Sequence, residues 1–289
     1  MAITALMVKE LRERTGLGMM DCKKALEEAS GDMELAIEAL RKRSALKAAK
    51  KAGRTTADGL LGLQVADDAR KGALVEVNIE TDFAAKNVKF TGFVDEVLAA
   101  VFDSGETDVE KLLAGELGNR RDTLIQEIGE NVSVRRAAYL ETAEGRIDAY
   151  LHSDRRKGAL VELTGGNAEV GRDVAMHVTA TNPLVVAGAQ VSQEVLAKER
   201  EIYASQAAES GKPADIVEKM VEGRVRKYLA EVSLLDQPFV KNPDVKVGKL
   251  LKDAGAECRT FVRFEVGEGI EVEQTDFAAE VAAQVKGSS

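Results

Sequence analysis

The chain has 289 residues, 45% of them apolar and only 4% aromatic, with no tryptophan, and this length allows one to three domains around a real core. The two cysteines, Cys22 and Cys258, are far apart and exclude a disulfide framework or a zinc ribbon; with no apolar run near the roughly 18 residues of a membrane span and no signal-peptide core, a cytoplasmic protein without membrane contact is expected. The net charge of −9 is unevenly spread, residues 1–54 holding 12 Lys/Arg against 8 Asp/Glu and the remainder 28 against 41, so two differently charged parts are implied.

Gly and Asp punctuation divides the N-terminal part into three short helices. Leu6, Val8, Leu11 and Thr15 run to a cap at Gly16; Met20 through Ala29 precede Gly31; Asp32 opens a third helix bearing Leu35, Ala36, Ala39 and Leu40. Met19 and Met20 follow Gly16-Leu17-Gly18. Their flexible thioethers either fill the small core or supply an adaptable binding face. From Arg41 to Arg54 the chain carries seven basic residues and no acid, which reads as a solvated helix face or as a contact for RNA phosphate. No aromatic residue interleaves them to stack on bases. The Gly53–Gly59 segment suits a domain boundary.

Beyond it lies an internal echo. Lys71-Gly72-Ala73-Leu74-Val75-Glu76-Val77 recurs as Lys157-Gly158-Ala159-Leu160-Val161-Glu162-Leu163, each preceded by a shorter apolar strand and followed by helix-like sequence. The pattern predicts an α+β fold with two related core subdomains, each opening on a β-hairpin. The copies differ just after the strand. The first continues into Thr81-Asp82-Phe83-Ala84-Ala85-Lys86-Asn87, the second into Gly165-Gly166-Asn167-Ala168-Glu169, with no aromatic. Thr81 or Asp82 can cap the next helix with Phe83 tucked into the core. The alternative is that Asp82 and Phe83 project as a wedge; a cap required by both copies needs no phenylalanine, which makes a functional role credible.

Ser192–Glu209 and Ala214–Leu229 read as two helices broken at Gly211 and Pro213, an antiparallel hairpin with coiled-coil packing that either projects as an arm or lies flat on the core. Val195, Leu196, Ile202 and Tyr203 are expected to face Ile216, Val217, Met220, Val221 and Tyr228. Phe261–Val266 reads as a last strand, and Thr275-Asp276-Phe277-Ala278-Ala279 begins an amphipathic tail. No zinc-protease, nucleophile-elbow or phosphate-loop motif occurs. Of the two histidines, His177 reads as a packed helix residue and His152, at the second hairpin turn, as an exposed contact residue. No catalytic site, metal or cofactor is expected.

Leu11-Arg12-Glu13-Arg14-Thr15-Gly16 with Met19-Met20-Asp21-Cys22-Lys23-Lys24-Ala25-Leu26, the Thr81–Asn87 run, and Arg263-Phe264-Glu265-Val266-Gly267-Glu268-Gly269 together resemble the bacterial elongation factor Ts family over the whole chain. One departure is Ala84, where the family often carries valine. The resemblance implies a ubiquitin-associated-like three-helix domain at 1–54 and core subdomains at 55–143 and at 144–182 with 230–266. It further implies a coiled-coil insertion at 183–229 and a C-terminal helical module at 267–289. It implies guanine-nucleotide exchange on elongation factor Tu, with binding of the GDP form and displacement of Mg²⁺. Thr81, Asp82, Phe83, Ala84 and Ala85 match the motif that enters the G domain near the metal. Arg12, Met19, Met20 and Phe277 match other contacts with that domain, and His152 faces the partner's third domain. No nucleic acid is expected, and a homodimer or a 2:2 complex is left open. The rival readings are an RNA- or ribosome-associated protein using residues 41–54, and an oligomerisation module using the helical hairpin.

Overall fold

The computed structural model describes residues 3–208 and 213–271. Helix α1 (Ala5–Thr15) is capped by Thr4, whose hydroxyl accepts from Met7 N at 3.3 Å, and it ends at Gly16 with φ 72°. A side chain at Gly16 would be strained by that φ and would meet Glu127 Oε1 at 2.6 Å. Helix α2 spans Met19–Glu28, and α3 spans Met33–Lys51 behind the Asp32 cap. Val8, Leu11, Leu17, Cys22, Ala25, Leu26, Ala36 and Leu40 close a small core between the three. Helix α3 is longer than its apolar opening suggests. It carries the basic stretch as far as Lys51, because alanine, leucine and lysine favour helix and no glycine intervenes before Gly53. Leu35 turns outward while Ala36 and Leu40 take the inner face.

The remaining elements are β1 (Asp58–Val65), β2 (Lys71–Ile79), α4 (Asp82–Ala85), α5 (Val88–Ser104), α6 (Val109–Leu113), α7 (Glu116–Ile128), β3 (Val132–Glu141), β4 (Arg146–Leu151), β5 (Lys157–Gly165), α8 (Ala168–Thr181), α9 (Gln193–Ala208), α10 (Ala214–Val232), β6 (Pro238–Phe239), β7 (Asn242–Lys246), α11 (Val247–Asp253) and β8 (Ala256–Glu265). The fold is α+β. Two three-stranded antiparallel sheets have the orders β1-β2-β3 and β4-β5-β8. They stack face to face around Leu61, Leu74, Ile147, Leu160, Phe264 and Val266. The outer face of the first sheet packs Ala73, Val75, Val77 and Ile79 against α5 and α7 through Phe90, Phe93, Val97, Leu124 and Ile125. The second packs Ala159, Val161 and Leu163 against α8 and α11 through Val174, Val178, Val247 and Leu251. Alternate residues of the two central strands thus face two different apolar layers, which is why both read as unbroken apolar runs.

The echoed heptapeptides are these central strands, and the likeness extends beyond them. Each sheet shifts register just after the echoed glutamate, between Glu76 and Val77 and between Glu162 and Leu163. Each hairpin turn has one residue with positive φ, Ala69 at 57° and Arg155 at 56°. The carbonyl of each accepts a 2.7 Å bond from the first strand of the other sheet, Ala69 O from Ile147 N and Arg155 O from Leu61 N.

At the first shift Glu76 pairs with Arg136 and Val77 with Val134, so Arg135 is the extra residue of a β-bulge and both arginines turn toward one carboxylate. Glu76 is fully buried and accepts from Arg135 Nη1 at 3.1 Å, Arg136 Nε at 2.6 Å, Asn78 Nδ2 at 3.2 Å and Gly267 N at 2.9 Å. Arg136 also donates to Glu265 O at 3.1 Å and lies 4.2 Å from the centroid of the Phe264 ring. The second copy places Thr260 opposite Glu162, which has no ion-pair partner among the described residues. Glu76→Ala, which strands two partly exposed arginines, is expected to lower unfolding free energy by about 2–4 kcal/mol in urea titrations, with both sheets melting together.

Helices α9 and α10 pack on each other through Leu196, Tyr203, Val221, Val225, Tyr228 and Leu229, a cluster drawn wholly from the hairpin and its base. Val195, Ile202 and Ile216, expected in this seam, are instead exposed. The base is stitched by Leu234 N to Val185 O at 2.9 Å and Leu235 N to Val186 O at 3.0 Å. Below it the buried His177 takes a hydrogen bond from Val240 N on Nδ1 at 3.1 Å, so its Nε2–H donates to Gln237 Oε1 at 2.9 Å. Burial pushes its pKa below 6.5, opposed by the Gln237 bond. The unfolded chain therefore binds the proton first. The stability due to neutral His177 is complete above about pH 6.5 and is lost as pH falls from there through the depressed folded-state pKa, at up to about 1.4 kcal/mol per pH unit. Chemical denaturation of wild type and His177→Gln between pH 7.5 and 5.5 is expected to show their stability gap narrowing as pH falls.

Candidate partner-binding site

Strand β2 ends at Ile79, and Glu80 and Thr81 carry the chain to α4. Thr81 is extended, at φ −128° and ψ 154°, and its hydroxyl accepts from Ala84 N at 3.2 Å. The residue is thus the helix cap. Ala84 and Ala85 are buried against the first core, which directs Asp82 and Phe83 outward. Phe83 is 82% exposed and Val88, at the start of α5, is 79% exposed. The cap is therefore real, but the ring is not tucked into the core. Asn87 restarts the chain as α5 by accepting from Lys89 N at 2.9 Å, so the motif occupies a single detached turn.

Lys86 holds the two exposed side chains together. Its Nζ lies 2.9 Å from Asp82 Oδ2 and 5.6 Å from the Phe83 ring centroid. The Lys86 hydrogen bond is the main reason the Asp82 carboxyl lies below its ordinary range, and the charge of Arg156 adds to it. From beneath, Glu130 accepts from Thr81 N at 3.0 Å and from Thr81 Oγ1 at 2.8 Å. Beside it Asn131 N donates to Glu80 Oε1 at 2.6 Å, and Asn131 Nδ2 donates to Arg54 O at 3.0 Å. Lys86 was legible as the i+4 partner of Asp82. Glu130, 49 residues from Thr81, carries no local signal.

Arg12, Met19 and Met20 are exposed on the bundle, Met20 at 74%, so the thioethers do not serve its core. The bundle docks on α7: Gln126 donates to Asp21 Oδ2 at 3.2 Å and accepts from Ser44 Oγ at 2.8 Å. The same end of α7 holds Lys89 through Glu127 at 3.0 Å and leads directly to Glu130. One helix therefore links the Met19–Met20 face to the Asp82–Phe83 turn. His152 is half-exposed, with Nδ1 3.0 Å from Asp154 Oδ1, beside a surface hollow lined by Tyr150, Lys157, Met176 and Thr179. Phe277 lies outside the described residues.

Of the basic stretch, Lys42 pairs with Glu38, Arg43 with Glu28 and Arg54 with Glu80, while Lys51 donates to Gly129 O. Arg41, Lys47 and Lys50 have no ion-pair partner among the described residues. Both cysteines are buried free thiols; burial raises the pKa of each, that of Cys258 to about 12, which suppresses thiolate chemistry. Among the described residues no group of three or more His, Cys, Asp or Glu is placed to hold a metal ion, and no helix is long and apolar enough to cross a membrane.

The α+β scaffold thus presents the Asp82–Phe83 turn to solvent, and the docked bundle presents Met19 and Met20. Residues 80–268 match the family model described as Elongation factor TS, and full-length relatives carry the name elongation factor Ts. The chain is 59% identical to that of Hahella chejuensis over 99% of both chains, and 57% identical to that of Saccharophagus degradans over 100% of this chain and 99% of the other. With the protein of Methylococcus capsulatus it shares 55% identity over the whole of both. The chain belongs to the elongation factor Ts family.

Replacing Lys86 by Ala is expected to move the Asp82 pKa upward, toward the ordinary carboxylate value, in a side-chain carbon-13 NMR titration; an unmoved value would rule out the Lys86 bond as its main cause.

Proposed function

We propose that this chain is the guanine-nucleotide exchange factor of elongation factor Tu, acting in the cytoplasm during translation elongation. It binds the GDP form, promotes loss of GDP and Mg²⁺, and has no catalytic site of its own. The observation that carries the reading is the outward-facing Asp82–Phe83 turn, standing where the family motif falls. In this reading Thr81–Ala85 enters the partner's G domain beside the metal site. Arg12, Met19, Met20 and Phe277 grip that domain elsewhere, and His152 meets the third domain. The division into 1–54, as a ubiquitin-associated-like domain, 55–143, 144–182 with 230–266, 183–229 and 267–289 follows the same reading, with the core arising by duplication. Gly267 and Glu268, at the start of the last of these, are tied to the core by bonds with Glu76, Arg135 and Arg263.

The physical logic is distortion by contact. Mg²⁺ demands near-octahedral oxygen ligands, so a small shift of one ligand-bearing element weakens metal and phosphate binding together. Coupling is reciprocal: a factor that lowers GDP affinity is itself bound less tightly when GDP is present. Each tenfold acceleration of release removes about 1.4 kcal/mol from the barrier. Burying Phe83 supplies about 1.5–3 kcal/mol, or one to two decades. The remainder must come from the other contacts, which hold the turn against the metal edge. Nucleic acid is not a partner in this reading, since much of the basic stretch is engaged in internal pairs.

Stopped-flow release of fluorescent GDP from elongation factor Tu is expected to accelerate with the wild-type chain. The Asp82→Ala, Phe83→Ala double variant is expected to lose about 10- to 100-fold of that acceleration. Its stability should stay within about 0.5 kcal/mol of wild type, because both side chains are exposed. Unchanged release in excess wild-type protein would refute the reading.

A further inference from the structure

We infer that Glu130 is a positioning residue for exchange: its carboxylate holds Thr81, and through it the turn bearing Asp82 and Phe83, in the presenting geometry. This rests on the exchange reading above. Helix α4 has four residues, far below the length at which a helix sustains itself, so its shape must be imposed from outside. Two groups impose it, the burial of Ala84 and Ala85 and the cap at Thr81. The cap depends in turn on Glu130. The single proton of Thr81 Oγ1 is committed to Glu130 Oε1, which leaves a lone pair aimed at Ala84 N. Thr81 N lies beyond the last ladder pairs of β2, which end at Ile79, and Glu130 Oε2 is its acceptor. Both oxygens of one carboxylate thus fix both hydrogen-bond donors of one residue, in the geometry of a charge-assisted pair.

The fold itself has other ties at this point. Asn131 N to Glu80 and Asn131 Nδ2 to Arg54 O already join the α7–β3 connection to the end of β2 and to the segment after α3. Loss of the Glu130 carboxylate therefore loosens the turn without opening the sheet. A loose turn must be ordered as it inserts, a cost that falls on the insertion step rather than on the encounter made through Met19 and Met20. Glutamine separates geometry from charge at this position. Its Oε1 can accept from Thr81 N while its Nε2 donates to Thr81 Oγ1, which keeps its lone pair for Ala84 N.

The test measures fluorescent-GDP release from elongation factor Tu across a titration of full-length wild type, Glu130→Ala, Glu130→Gln, Thr81→Val and the Glu130→Ala/Thr81→Val double variant. Thermal melts and amide hydrogen exchange of residues 81–85 are recorded on the free proteins. Glu130→Ala is expected to lower the maximal release rate about tenfold, the scale of one hydrogen bond to a charged group. The half-saturating concentration should move less than about threefold and the melting temperature hardly at all, while the Ala84 amide exchanges faster. Glu130→Gln should retain most of the rate, and the double variant should be no slower than the slower single one. Positioning is overturned if Glu130→Ala releases GDP at the wild-type rate, if Gln is as slow as Ala, if the two losses multiply, or if the rate falls only in step with stability or affinity. No acceleration by wild type defeats the exchange reading and this inference with it; an active wild type and an equally active Glu130→Ala defeat only the inference.

Discussion

A carboxylate with no exposed surface sits between two sheets, and the architecture is arranged to satisfy it. Glu76 belongs to the central strand of the first sheet, its arginine partners to the bulged neighbour, and its fourth donor, Gly267 N, to the chain just beyond the last strand of the second. An ionised group taken from water costs several kcal/mol unless every oxygen is met, and buried ion pairs often gain little over apolar packing. The interest of this cluster is its directionality. The apolar layer of Leu61, Leu74, Ile147 and Leu160 would tolerate small slips between the sheets, whereas the bonds that cross from the first sheet to the end of β8, Gly267 N to Glu76, Arg136 to Glu265 O and Arg135 to Glu268 O, do not.

That fixed relation gives the exposed turn and the bundle a frame. The end of β2 is the root of the exposed turn, and β3 continues from the Glu130–Asn131 segment that grips it. Helix α7 carries the frame outward to the bundle through Gln126 and Glu127. Preorganisation and adaptability are thereby separated. The acid and ring stand on a turn with few options, while Met19 and Met20 provide side chains that conform to whatever they meet.

The sequence made much of this visible where a feature is local. The Gly16 and Asp32 caps and the echoed central strands stand within a few residues of their causes, whereas the exposure of Phe83 was left open between a tucked ring and a projecting one. Strand β3 was not legible, because the bulge sets Arg135 beside Arg136 and breaks the alternation by which a half-buried strand is recognised. The hairpin seam was ambiguous for another reason. Val195 and Ile202 repeat at the same seven-residue spacing as Leu196 and Tyr203, one position away, and only packing selects between the two stripes. Roles such as that of Glu130 have no local signature, since their partner is dozens of residues distant.

The reciprocal bonds between hairpin turns and first strands have a consequence for the molecule in a crowded solution. Strands β1 and β4 are the outer strands on one side of their sheets, and an outer strand is a template for unwanted pairing with another chain. The Leu61 and Ile147 amides are already engaged by the turn of the opposite sheet, and Leu61 O accepts from Arg155 Nε as well. Each sheet blocks the docking register of the other. The bonds that tie each turn to the opposite sheet also occupy edge groups that a further strand would otherwise pair with.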